Sequence, residues 1–219
     1  MRYERKYELN YGVLDLVGSF LALNGFFEVF PKRQVSSIYF DTNDLEMLCD
    51  NLDGISHRKK YRVRWYDGNY LTARFEEKRK DSMLGTKIVS PISNACCAGG
   101  LTGIIDSILG VDDASFLDQG TYAPILLVEY ERRYYSSYDN LIRATIDTQL
   151  SCEPYSNCLS KDFIRNEPLP LDSVILEFKY NSTLDSYFRN IIVNDIPFRS
   201  TKYSKYVNSF LSLQESGLI

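Results

Sequence analysis

RKKYRVRW, running from Arg58 to Trp65, is the stretch that decides the fold. Side chains alternate across a β-strand. Arg58, Lys60, Arg62 and Arg64 therefore share one face, and Tyr61, Val63 and Trp65 share the other. The apolar face calls for a core or a covering helix. The cationic face is harder to account for, because four like charges in a row repel. An edge strand charged against aggregation would look this way, and so would a surface built for a polyanion. One strand does not choose between them, but others repeat the pattern. Across an Asp67-Gly68 hairpin turn, Thr72, Arg74, Glu76, Lys78 and Lys80 share a face of YLTARFEEKRK (70–80). In SVILEFKY (173–180), Glu177 and Lys179 lie with Ile175, opposite Val174, Leu176, Phe178 and Tyr180. Arg132 joins Val128 and Tyr130 within PILLVEYERRYY (124–135), and Arg143, Thr145 and Asp147 join Leu141 within 141–147. At the start, Arg2, Glu4, Lys6 and Glu8 alternate with Tyr3, Arg5, Tyr7 and Leu9.

Around these strands the pattern predicts a helix that starts near Val13 and ends near Asn24-Gly25. A strand follows over VSSIYF (35–40), then a short helix over 43–50, and TKIVSPI (86–92) adds another strand. Residues 93–120 read as one or two helices and an acidic loop, 151–170 as loop, and 183–193 and 202–215 as helices. About eight strands, mostly joined by short turns, with helices at both ends, make an α+β single domain over 1–219. Its expected core is an antiparallel barrel or sandwich.

If the sheet closes, its inward residues line a lumen. Such a cationic lumen repels itself when empty and needs an anion. Arg presents a planar fork to phosphate oxygens and Lys a compact charge, while carboxylates hold Mg²⁺ or Mn²⁺ through oxygen. The pattern therefore points to a phosphate-binding tunnel with a metal. Taken singly, each Glu-x-Lys is an ordinary ion pair of little worth at a surface; the repetition gives it meaning.

Composition narrows the classes. The chain has 219 residues and a net charge of −4, so it is not a wholly basic nucleic-acid binder, and any cationic surface is local. Five irregularly spaced cysteines, two of them adjacent at Cys96-Cys97, match neither a zinc pattern nor an even disulfide set. Reduced thiols in a cytoplasm account for them. No apolar run approaches the roughly 20 residues that cross a bilayer, and MRYERKYELN has no signal-peptide core. No glycine-rich nucleotide loop is present.

RYERKY at the start, SSIYFDT (36–42), LDG…RKKYRVRWY (52–66), FEEK (75–78), EYERRYY (129–135), IRATID (142–147), ILEFKY (175–180) and YSKYV (203–207) occur in one order. In this they resemble the catalytic domain of the vacuolar transporter chaperones, in the triphosphate tunnel metalloenzyme superfamily. The resemblance spans nearly the whole chain. It implies an antiparallel eight-stranded β-tunnel with helices packed outside, and a polyphosphate polymerase that transfers the terminal phosphate of ATP to a polyphosphate chain. Relatives hydrolyse triphosphates or cyclise ATP. It further implies phosphate ligands at Lys6, Arg62, Arg64, Lys78, Arg132, Arg143 and Lys205, with Ser204 as a further contact. Glu177 matches a metal-binding glutamate for Mn²⁺ or Mg²⁺. Arg2, Arg58, Lys60 and Lys179 would line the tunnel wall toward substrate, and Glu4, Glu76 and Asp147 would line it as further carboxylates toward the metal. One departure stands out. Where eukaryotic members carry a basic residue in the short helix after YFD, this chain has Leu48-Cys49-Asp50-Asn51, so either one phosphate clamp is missing or Arg58 and Lys60 replace it. The expected ligands are ATP or another triphosphate and polyphosphate, with no nucleic acid. Any membrane span would come from a partner protein. A triphosphatase of the same fold, a non-catalytic polyphosphate or nucleotide sensor, and a structural barrel with solvated charges are the alternatives. His57, the lone histidine, reads as a solvated loop residue rather than a base.

Overall fold

The computed structural model describes residues 2–81, 84–110, 116–117, 121–159, 167–193, 196 and 198–219. Nine strands are present among them: β1 Arg2–Leu9, β2 Phe26–Thr42, β3 His57–Tyr66, β4 Asn69–Asp81, β5 Leu84–Pro91, β6 Tyr122–Ser137, β7 Ile142–Pro154, β8 Leu169–Leu171 and β9 Val174–Asn181. The helices are α1 Leu14–Leu23, α2 Glu46–Leu52, α3 Asn94–Ala98, α4 Gly100–Leu109, α5 Tyr155–Leu159, α6 Asp185–Tyr187 and α7 Lys205–Glu215. The fold is α+β, built on one large antiparallel sheet of hydrogen-bonded order β1-β9-β7-β6-β2-β3-β4-β5, with β8 on β7. Among the described residues no ladder joins β5 to β1, so hydrogen bonds do not close the sheet into the expected barrel.

The chain divides into two compact units. The first holds Met1–Arg33, Tyr130–Leu150 and Pro170–Ser204; the second holds Gln34–Glu129, Ser151–Leu169 and Lys205–Ile219. Strands β2, β6 and β7 are long enough to contribute to both.

In the first unit, the odd-face residues Tyr7 and Leu9 of β1 and the even-face residues expected on β9 enter the apolar core, while Ile175 and Glu177 on the other face of β9 are buried too. Tyr7, Leu9, Val174, Leu176, Phe178 and Tyr180 pack with Val17, Phe20 and Leu21 of α1. Helix α1 stops at Leu23, where Gly25 adopts φ 73°, a conformation that costs glycine nothing. The strand that follows begins at Phe26, nine residues before the predicted start. FFEVF is aromatic and β-branched, as strands prefer, and Phe26 turns into the core. Strand β7 likewise runs past the predicted end at 147, because Leu150 and Cys152 still have buried places to fill. The helix expected over 183–193 is broken into a 3₁₀ turn (Ser182–Leu184), α6 and a π-helical stretch over Phe188–Val193.

In the second unit, Tyr61, Val63 and Trp65 of β3 bury with Ala73 and Phe75 of β4 beneath Ile104, Ile105 and Ile108 of α4. This is the covering helix that the opening stretch demanded. Asp67 and Gly68 form the two-residue turn between β3 and β4, both at positive φ (54° and 68°), as a type I′ hairpin requires. The 93–120 segment gives two helices, α3 and α4; most of the acidic loop expected after them lies outside the described residues. Part of the expected 151–170 loop is ordered as α5 and β8. No helix among the described residues is long and apolar enough to cross a membrane.

Candidate phosphate-binding site

The cationic faces form two clusters, one in each unit. In the first unit, strand pairing builds two rows across β1, β9 and β7. Lys6 lies opposite Glu177, which lies opposite Thr145; Glu4 lies opposite Lys179, which lies opposite Arg143. Paired residues share a face with Cβ atoms roughly 5 Å apart, so charges of both signs are forced together. Lys179 Nζ sits 2.5 Å from Glu177 Oε1, and Lys6 Nζ sits 3.2 Å from Glu4 Oε1. Lys6 also donates to the Tyr203 carbonyl at 3.0 Å, and the Thr201 amide donates to the Lys6 carbonyl at 2.8 Å. These bonds draw the segment ending in Ser204 alongside β1. Arg132 of β6 grips Asp147 of β7 through two parallel bonds of 2.6 and 2.7 Å, the bidentate geometry that Arg favours. Asp147 is fully buried. The charge on Asp147 and the neighbouring Tyr130 overcome the burial that opposes a charged Arg132, and raise its pKa well above the ordinary value. Burial disfavours the Glu177 carboxylate, yet the charges of Lys179, Lys6 and Arg132 outweigh it and hold its pKa well below the usual range. Arg143 is exposed at the end of its row. Arg2 opens β1 opposite Asn181.

In the second unit the ladder sets like charges side by side. Lys60 of β3 lies opposite Lys78 of β4, which lies opposite Lys87 of β5; Arg58 lies opposite Lys80, and Arg64 opposite Arg74. Such pairs destabilise a sheet. Glu76 is the buried carboxylate among them. Arg62 reaches its Oε2 at 2.6 Å through Nη2 and 2.7 Å through Nε, while Lys87 reaches Oε1 at 2.5 Å. Burial would raise the Glu76 pKa, but Arg62, Arg64 and Lys87 together lower it to about 2. Arg64 is buried and donates to Ser37 Oγ at 3.1 Å. Arg62 also donates to the Tyr39 hydroxyl at 3.2 Å. Tyr39 is buried, which would raise its pKa, but Arg62, Arg64 and Lys205 bring it below the ordinary phenol value.

Behind Tyr39 the residues of YFDT anchor two helices. Asp41 is fully buried and accepts from the backbone amides of Thr42, Met47 and Leu48, at 2.8, 2.9 and 3.0 Å, at the start of α2. Tyr206 of α7 donates to the same carboxylate at 2.6 Å and stacks on Tyr39 with ring centroids 5.3 Å apart. Lys205 is thereby fixed at the first position of α7. The departure in α2 has a structural counterpart. With its amide oxygen turned toward β3, Asn51 accepts from Arg58 Nε at 3.2 Å and Lys60 Nζ at 2.9 Å.

The expected site residues are thus gathered as two sets. Lys6, Arg132, Arg143, Lys179, Glu4, Glu177 and Asp147 fall in one, with Ser204 at its edge; Arg58, Lys60, Arg62, Arg64, Lys78, Glu76 and Lys205 fall in the other. Lys87, Tyr39, Ser37 and Asn51 are additions that the sequence reading passed over. Alternation in SSIYFDT puts Ser37, Tyr39 and Asp41 on one face, which is a usable signal. Lys87 stands alone in its strand and gives none. His57 is exposed, as expected, but opens β3 rather than lying in a loop, and sits 3.0 Å from Asp81.

Among the described residues no group of three Asp, Glu, His or Cys side chains could by itself hold a metal. Glu4, Glu76 and Asp147 each face a cation. Mg²⁺, however, keeps waters and commonly takes only one or two carboxylates along with substrate phosphates. Glu177 fits that mode, being ionised, 5% exposed and without a hydrogen-bond partner at Oε1 beyond its ion pair with Lys179.

Comparison with known proteins bears on the fold and the family. Solved structures covering nearly the whole chain share its fold at low identity. One is a Hippeastrum adenylyl cyclase candidate described as having a dominant triphosphatase activity, at 16% identity and TM-score 0.53, covering 100% of this chain and 97% of that one. Another is an adenylate cyclase candidate of Vibrio parahaemolyticus, at 12% and 0.54, covering 95% and 97%. A third is a protein of Pyrococcus horikoshii, at 11% and 0.52, covering 97% and 99%. A search of curated protein sequences finds no match. The VTC domain family matches residues 1–214. With that span, and with the ordered motifs from RYERKY to YSKYV, the chain belongs to the VTC domain family.

Proposed function

We propose that this chain is a metal-dependent polyphosphate polymerase that transfers the terminal phosphate of ATP onto a growing polyphosphate chain within a basic tunnel. The tunnel, as a closed form of the sheet, is part of this proposal. The observation that carries it is the row Lys60, Lys78 and Lys87, directly opposed on three neighbouring strands, with Arg58–Lys80 next to it on one side and the Arg62–Glu76 pair on the other, beyond which Arg64 faces Arg74. Opposed cations repel across a ladder, and an anion with many oxygens settling on the row would offset that cost.

Phosphoryl transfer asks a protein for alignment and charge compensation rather than covalent help. Arg62, Arg64, Lys78 and Lys205 would orient one stretch of phosphate oxygens; Lys6, Arg132, Arg143 and Lys179, with Ser204 beside them, would orient another. Arg2, Arg58 and Lys60 would extend the wall. The acceptor is itself a phosphate, ionised at neutral pH, so no side chain need remove a proton from it, and the exposed position of His57 is in keeping with that. Glu177 would hold Mg²⁺ or Mn²⁺, which when bound would neutralise charge on the transferred and leaving phosphates; Glu4, Glu76 and Asp147 are supporting carboxylates. Five free cysteines fit a reducing cytoplasm, and a membrane-protein partner would supply any anchorage.

A second reading, triphosphatase action with water as acceptor, is favoured by the dominant triphosphatase activity described for the Hippeastrum relative. Incubation of the purified protein with ATP and Mn²⁺, read by gel for long phosphate chains and by colorimetry for free phosphate, separates the two. Glu177→Gln is expected to abolish turnover with the fold intact. If neither product forms and neither ATP nor tripolyphosphate binds, the proposal is wrong.

A further inference from the structure

Thr145 stands at the end of the Lys6–Glu177–Thr145 row in the first unit. On its own strand it falls between Arg143 and Asp147 on the same face. Its hydroxyl oxygen is buried and has no hydrogen-bond partner. A hydroxyl removed from water and left unpaired costs free energy, and valine would fill the same place with better strand propensity and no polar atom. A polar group kept at such a position is explained by a partner that arrives from outside the fold. The surroundings say what kind. Glu177, the carboxylate across the ladder, is already engaged by Lys179, with Lys6 and Arg132 contributing to its ionisation. The carboxylate directly opposite Thr145 is thus set among ammonium and guanidinium groups.

We propose that Thr145 is a phosphate-binding residue, its hydroxyl donating to a phosphate oxygen held over the Lys6–Glu177–Thr145 row. This assignment rests on the triphosphate reading above and adds to it a contact that is neutral rather than cationic. Such a contact confers direction, because a hydroxyl donates along one bond whereas an ammonium attracts from all sides.

The test is calorimetric titration of the full chain with tripolyphosphate in EDTA-containing buffer, using wild type, Thr145→Val and Thr145→Ser, with thermal melts of each free protein. Serine retains the hydroxyl and is expected to bind within about twofold of wild type, while valine is expected to bind about ten- to a hundredfold more weakly, the loss of one hydrogen bond to a charged group. Free Thr145→Val should melt at the wild-type temperature or about 2–4 °C higher, since an unpaired polar atom is gone. Wild-type affinity in Thr145→Val overturns the assignment. So does a lower melting temperature for that free variant, which would reveal a partner within the fold. A binding defect that appears only when Mn²⁺ replaces EDTA assigns the hydroxyl to the metal's water shell and also overturns it. Wild type that fails to bind tripolyphosphate sinks the triphosphate reading itself; wild type that binds, with an unaltered valine variant, sinks only the role of Thr145.

Discussion

Glu76→Gln probes the second cluster through both stability and binding. Glu76 is buried, touches Arg62 at 2.6 Å and Lys87 at 2.5 Å, and ionises at about 2 instead of 4.5. A tenfold change in proton affinity corresponds to about 1.4 kcal/mol, so ionised Glu76 contributes about 3 kcal/mol to the folded state at neutral pH. The sign follows from the depressed folded-state value. The contribution is complete above the unfolded-state pKa of 4.5 and is lost as pH falls from there toward 2. Urea unfolding of wild type and variant at pH 7, 5, 4 and 3 reads it directly. The wild-type stability curve should fall more steeply than the variant's between pH 5 and 3. The variant should also be less stable at pH 7, because Arg62 and Lys87 keep their charges and lose their counter-charge. Metal-free tripolyphosphate binding should move the other way and tighten by about tenfold, since the ligand no longer competes with an internal carboxylate for those two cations. Parallel pH curves for the two proteins, together with unchanged or weaker metal-free binding, would refute the reasoning that Glu76 is the internal counter-charge of Arg62 and Lys87.

Two more outcomes follow from the same geometry. Asp147→Ala leaves the largely buried Arg132 guanidinium without its bidentate partner, and should cost about 3–5 kcal/mol in urea unfolding. Asp147→Leu combined with Arg132→Met should recover most of that loss, and a double variant as unstable as the single one would contradict the buried-pair argument. Arg62→Ala and Arg64→Ala should each weaken tripolyphosphate binding by about 1.5–3 kcal/mol in titration calorimetry; wild-type affinity in both would remove the second cluster from the ligand site.

Much of this was legible in the sequence because strand periodicity is a local property. The split of RKKYRVRW into a buried Tyr61-Val63-Trp65 face and a charged face, the Asp67-Gly68 turn and the inward run of Val174, Leu176, Phe178 and Tyr180 all follow from alternation over a few residues. Element ends were less legible, because they depend on what packs against them. Phe26 begins a strand because the core has a place for its ring, and β7 continues to Pro154 because Leu150 and Cys152 are covered.

The sequence alone determined that cations and carboxylates recur on the faces of several strands, the pattern from which an anionic ligand was expected. It did not determine which charge faces which, since that depends on ladder register between residues far apart in the chain. Register set Lys60, Lys78 and Lys87 in one row and Arg62 opposite Glu76, which Lys87 reaches from the diagonal position on the next strand. Register also placed Glu177 between Lys6 and Thr145, and packing of α7 brought Tyr206 to Asp41 across 165 residues. Periodicity fixes the face of a side chain; only tertiary pairing fixes its neighbour, and Coulomb energy depends on the neighbour.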